Sequence, residues 1–294
     1  MILVYNKLMT QRLLLSAALI FFSYSGFATT QPYLWIQHQH GSYVLESGNL
    51  DIQNKKVRHS PSESISRWKQ DLMTQWNQDT QDLMIVFHCL YGSQSTFFKN
   101  QARFFDEHLS QQGYQVLYIK WEAPALGYAK NYNQTAPMMD FARDSILSLF
   151  RELRTSQPDK KINVFCHSMG NRVFSLLFEG GSSHQTQNLF DHIYLVAPDL
   201  PENILNTQRG QSILESCSDM TIFYHNKDRL LKTSGKIHGI ERLGLNGLND
   251  PSMNSSIRNL EATGCKHRVW WASLSNHLYY FSCDEVMAVV TSDG

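Results

Sequence analysis

The segment that most narrows what this chain can fold into is Ile162-Asn163-Val164-Phe165-Cys166-His167-Ser168-Met169-Gly170-Asn171-Arg172-Val173. An apolar run too short for a helix passes through a serine directly into a helical pattern, so a buried strand must turn sharply into a helix. Similar short apolar runs recur at residues 83–87, 114–121, 192–196, 220–225 and 268–271. Between them Ala142, Ile146, Leu149, Phe150 and Leu153 line one side of a helix, and Val173, Leu176 and Leu177 begin another. Strands and helices in alternation predict an α/β protein, its mostly parallel sheet covered by helices on both faces. Ahead of this core, residues 33–37 and 43–45, separated by His40-Gly41-Ser42, predict a hairpin at the sheet's edge, and residues 65–76 an amphipathic helix. Residues 235–264, rich in Gly, Asn and Ser, read as a long loop.

Lys7 and Arg12 precede an apolar run over residues 13–22, and Gly26 and Ala28 stand where a signal peptidase requires small residues. This predicts an export signal over residues 1–28, leaving residues 29–294 as a single domain, periplasmic or secreted. The run falls short of the roughly 20 residues that span a bilayer, and no later stretch comes close, so no transmembrane segment is expected in the mature chain. The 26 basic and 26 acidic residues become a charge of −2 once Lys7 and Arg12 are removed, which argues against nucleic acid as a partner. All five cysteines (Cys89, Cys166, Cys217, Cys265 and Cys283) lie beyond residue 28, and none has the Cys-x-x-Cys spacing of a structural zinc site. No metal and no cofactor is implied. If residues 220–225 and 268–271 form neighbouring parallel strands, Cys217 and Cys265 fall at the same sheet edge. Strands about 4.8 Å apart suit a disulfide Cα separation of about 5.5 Å, so a Cys217–Cys265 bridge is expected, with Cys89–Cys166 as the competing pair.

A serine at a strand-to-helix turn fits a nucleophile elbow, where the residues two before and two after must be small because backbone passes close to them. Gly170 meets that need and Cys166 meets it only approximately; the alternative is an ordinary helix-capping serine. From about residue 83 to 281 the chain resembles an α/β-hydrolase. His-Ser-Met-Gly-Asn-Arg at 167–172, Ala197-Pro198-Asp199, Lys227-Asp228 and Arg242-Leu243-Gly244 are similar to a bacterial hydrolase-like family.

The resemblance implies the order serine, acid, histidine, with Ser168 as nucleophile, His277 as base and Asp228 as the orienting acid. Asp199, one strand earlier, is the alternative acid. His277 would open an apolar helix after the last strand; His238 also fits by position, whereas His267 falls at the opposite sheet edge. The oxyanion hole would use the backbone N–H of Met169 with that of Leu90 or Cys89, in a loop reading His88-Cys89-Leu90-Tyr91-Gly92 with its glycine displaced. His88 reads as a loop holder. Trp121, Tyr128 and Tyr132 are candidate pocket walls, and Cys89 or Cys166 as nucleophile is disfavoured because neither is at the turn's apex. The expected activity is an exported serine hydrolase that cleaves a small-molecule or lipid-like ester or thioester through an acyl-serine. The alternative is a binding module that keeps the fold without catalysis.

Overall fold

In the computed structural model, which describes residues 29–53, 56–78, 81–89, 96–122, 128–180, 186–250, 254–265 and 276–292, the chain opens with a long antiparallel hairpin. Strands β1 (Thr29–Gln39) and β2 (Ser42–Gln53) meet at His40 and Gly41, whose φ angles of 49° and 83° make a tight turn matched to strand twist. Strand β3 (Lys56–Pro61) pairs with β2, and α1 (Ile65–Gln78) buries Trp68, Leu72 and Trp76.

The remaining elements alternate: β4 (Asp82–Phe87), α2 (Thr96–Leu109), β5 (Tyr114–Trp121), α3 (Tyr128–Ser156), β6 (Ile162–His167), α4 (Met169–Ser175) and β7 (Phe190–Val196). They continue through α5 (Gln208–Glu215), β8 (Cys217–Tyr224), α6 (Arg229–His238), α7 (Leu243–Asn246), β9 (Ile257–Glu261) and α8 (Asp284–Ser292). The sheet order is β3-β2-β1-β5-β4-β6-β7-β8-β9, antiparallel among the first three and parallel from the β1–β5 pair onward. The hairpin is therefore not the rim itself: β1 bonds β5, and β3 takes the outer position.

Both faces are covered, which is why β4 to β7 read as continuous apolar runs. Ile85, Ile119 and Val164 pack with Trp76 of α1 and with Ile146 and Phe150 of α3. Met84, Val116 and Phe165 point the other way, toward Phe98 and Phe105 of α2 and Val286 of α8. The C-terminal ends of β4 to β8 converge on one edge, where β6 delivers Ser168.

Two expectations require correction. The supposed loop over 235–264 contains β9, which escapes notice because it is polar: only Ile257 and Leu260 of its five residues are apolar, and it has one strand neighbour among the described residues. Residues 268–271 lie outside the described residues. Cys265 follows β9, the strand that pairs with β8, whereas Cys217 opens β8, so the two lie at opposite edges. The bridge is Cys265–Cys283, with a Cα separation of 5.3 Å. Cys217 remains a thiol near the carbonyls of Ile213 and Leu214, with its pKa pushed up to about 12 by burial and by Asp219. Cys89 and Cys166 are buried thiols. Among the described residues no helix is long and apolar enough to cross a membrane, and the residues of the expected export signal lie outside them.

Candidate active site

Ser168 sits at φ 56° and ψ −125°, a conformation an L-residue holds only when the surroundings force it. Those surroundings are identifiable. Its N–H donates to the Val196 carbonyl at 3.0 Å, and the Asn171 amide donates to the carbonyls of Cys166, Ser168 and Val196. A Cβ on Gly170 would lie 2.4 Å from the Phe87 carbonyl oxygen and 2.5 Å from that of His88, so only glycine lets α4 seat this closely on β4. Cys166 is tolerated two residues before the serine because its side chain is wholly buried in the core on the α1 and α3 face.

Ser168 Oγ lies 2.8 Å from His277 Nε2, and His277 Nδ1 lies 2.6 Å from Asp228 Oδ2. Since a carboxylate only accepts, Nδ1 carries the proton and donates it to Asp228, leaving Nε2 to accept from the serine hydroxyl. Asp228 also caps α6: Oδ1 accepts from the N–H groups of Leu230 and Leu231 at 2.9 and 3.0 Å, so one oxygen is fixed by the helix end while the other faces the imidazole. Burial lowers the pKa of His277, but the charge and hydrogen bond of Asp228 outweigh it, with help from Asp199, and the net shift is upward.

His277 does not open a helix. It lies in a loop followed by a short turn over Tyr279–Phe281, and α8 starts only at Asp284. The loop is tied down from three sides. His167 Nε2 donates to the His277 carbonyl at 3.1 Å, the Tyr279 hydroxyl joins Ala197 N–H to the Phe223 carbonyl, and the Cys265–Cys283 bridge anchors its far end.

Asp199 is engaged elsewhere: it accepts from Ser234 Oγ at 2.5 Å and faces Arg242 Nε at 3.3 Å. The sequence motifs around it pack directly together, with Gly244 N–H donating to the Pro198 carbonyl and Leu243 N–H to that of Leu200. Trp121 is not a pocket wall. Its side chain is buried, its backbone N–H donates to His88 Nε2, and its indole donates to the His88 carbonyl, both at 3.0 Å, with the rings stacked. His88 in turn donates from Nδ1 to the Cys89 carbonyl at 2.6 Å, and burial holds its pKa down to about 3, so it fastens this loop as a neutral ring.

Met169 is the first residue of α4, where the N–H has no partner within the helix. Cys89 is buried just past β4, while Leu90 lies outside the described residues, as do His267 and the side chain of Tyr128. Tyr132 is half-buried, with Arg172 Cζ 3.7 Å from its ring centre, Arg242 Cζ at 5.6 Å and the His238 ring at 3.9 Å. Sequence reading gave these two arginines no role, although each stands in a quoted motif, Arg172 closing His-Ser-Met-Gly-Asn-Arg and Arg242 opening Arg-Leu-Gly, and those motifs were the available signal.

No curated protein matches the chain. The family model described as "Alpha/beta hydrolase of unknown function (DUF900)" matches residues 67–293, a span that begins within α1 and includes Ser168, Asp228 and His277. With that match over most of its length and a mostly parallel sheet of the corresponding architecture, the chain belongs to this family of α/β hydrolases.

Proposed function

We propose that the protein is an exported serine hydrolase acting on a carboxylic ester or thioester. The observation that carries this reading is the unbroken hydrogen-bonded line from Ser168 through His277 to Asp228, with the serine in a strained turn at the sheet's carboxyl edge. Ser168 Oγ attacks the substrate carbonyl carbon as its proton passes to His277 Nε2. The tetrahedral oxyanion is held by the Met169 N–H and by a second amide from the loop of Cys89 and Leu90. On collapse the bond to the leaving oxygen or sulfur breaks, and His277 returns the proton to it. Water then gives a proton to His277, attacks the acyl-serine, and the released Ser168 oxygen takes that proton back. Asp228 keeps the imidazole in the required tautomer and stabilises its protonated form.

Export rests on the basic start, apolar run and small residues of positions 1–28. The features that favour the alternative, a binding module without catalysis, are Cys166 in place of a smaller residue and the altered loop after β4. Cys166 packs in the core without disturbing the elbow, so that motive weakens. Labelling with a serine-directed fluorophosphonate tests the reading: the wild type is expected to label and Ser168→Ala not to, while an unlabelled wild type counts against catalysis.

A further inference from the structure

Arg242 is fully buried, and its guanidinium is permanently charged. Asp199 lies beside its Nε at 3.3 Å but already accepts the Ser234 hydroxyl, while Nη1 and Nη2 are buried with no hydrogen-bond partner among the described residues. Leaving the open end of a guanidinium fork unsatisfied in the interior is unfavourable, and that end has the spacing that grips two oxygens of one anion. A second cation stands nearby. Arg172 donates from Nε to Thr135 Oγ1 at 2.8 Å and stacks on Tyr132, the ring that Arg242 also approaches. Among the described residues, the charged and titratable groups around this ring are Arg172, Arg242, Asp199 and His238, and the Arg209–Glu179 pair also acts on Arg172. Among the described residues three guanidinium groups therefore share two carboxylates, Asp199 and Glu179.

The location gives this imbalance meaning. Arg172 is one helical turn beyond Ser168, and the Asp199 N–H donates to the Ser168 carbonyl at 3.3 Å. A groove of about 460 Å³ lined by Arg172, Glu179, Leu200, Pro201, Ile204 and Arg209 opens to solvent beside Arg172, and Pro201 pairs through its backbone with the buried Arg242. We propose that Arg242 and Arg172 form an anion subsite beside Ser168, which recognises a carboxylate or phosphate group carried by the ester substrate. The half-buried Tyr132 ring covers the two guanidinium groups and shifts aside as the anion enters. The inference rests on the hydrolase reading for its link to turnover, but not for binding.

Two measurements separate the claims. In thermal denaturation of the full chain at equal ionic strength, succinate or inorganic phosphate is expected to raise the wild-type melting temperature above that in chloride, and Arg172→Gln to lose the rise. Arg172 is the primary test because it is partly exposed; Arg242→Lys, which keeps charge but loses the fork, is the second. The anion that gives the larger rise distinguishes carboxylate from phosphate. In kinetics, wild type is expected to favour monoethyl succinate over ethyl butyrate by about tenfold or more in kcat/KM, and Arg172→Gln to lose most of that ratio. Equal melting temperatures in all three salts, or hydrolysis of both esters without preference, overturns the subsite. Hydrolysis of neither ester together with absence of fluorophosphonate labelling overturns the hydrolase reading, and whenever neither ester is hydrolysed the subsite stands or falls on the melting temperatures.

Discussion

A protonated His277 cannot accept the serine proton, so kcat/KM is expected to fall on the acid side of its pKa, which Asp228 holds above the usual 6.5 for histidine. Asp228→Asn removes the charge that raises it and favours the wrong tautomer. Turnover should drop by on the order of 10³-fold or more, with the acid limb moved to lower pH. Asp199→Asn is expected to act differently: it strands the buried Arg242 charge, so the loss appears first as stability, about 3–5 kcal/mol in denaturant titration. If the Asp199 variant proved the more damaging to turnover while keeping its stability, Asp199 would be the orienting acid. Ser168→Ala and His277→Ala should each cost on the order of 10³-fold or more, the double variant little beyond either, since the groups work as one unit. At this scale the serine and Gly170 were readable because a strained turn tolerates few residues. The roles of the buried Arg242 and the half-buried Arg172 were not, because sequence does not say which cation is covered by an aromatic ring.

At the scale of elements, what the sequence made legible were those with strong periodicity: α1, β4 to β8, and the stripe of α3. β9 was lost because three of its five residues are polar, and that single omission misplaced Cys265 and the disulfide with it. The observed bridge closes a loop across a sequence separation of 18, and that loop includes His277. Cys283→Ser is expected to cost about 2–4 kcal/mol of stability by freeing the unfolded chain. Because the same bridge anchors the loop bearing the base, the variant should also lower kcat under conditions where it is fully folded. A variant that loses stability but retains full kcat would show that the Tyr279 and His167 hydrogen bonds position the loop without the bridge.

At the scale of the whole molecule, the question is what fastens β1 to β3, which precede the family's matched span, to the hydrolase core. Trp35 of β1 lies in register with Lys120 of β5, whose ammonium is buried over the rings of Trp35 (3.7 Å) and Tyr33 (4.2 Å) and donates to His59 Nδ1 of β3 at 2.9 Å. Burial lowers the pKa of Lys120 from 10.5 to about 7, against the opposing pull of Glu46 and Glu122; burial and the nearby Lys120 and Lys99 charges hold His59 down to about 4. Between about pH 7 and 10.5 the unfolded chain then binds a lysine proton that the folded chain does not, so folding stability rises with pH across that window. The limiting slope is about 1.4 kcal/mol per pH unit, part of which cation–π attraction to the rings offsets. His59 acts with the same sign lower down, removing stability as pH falls from 6.5 toward 4. Lys120→Met cancels the lysine contribution, so the stability of the variant relative to wild type should decline by about 1 kcal/mol or more between pH 7 and pH 9, read from urea midpoints at each pH. Comparing slopes rather than absolute values matters, because the variant also deprives His59 of its donor at every pH. Parallel stability curves for the two proteins would mean that Lys120 stays charged inside its aromatic cage throughout, held by the rings of Trp35 and Tyr33 rather than neutralised by burial.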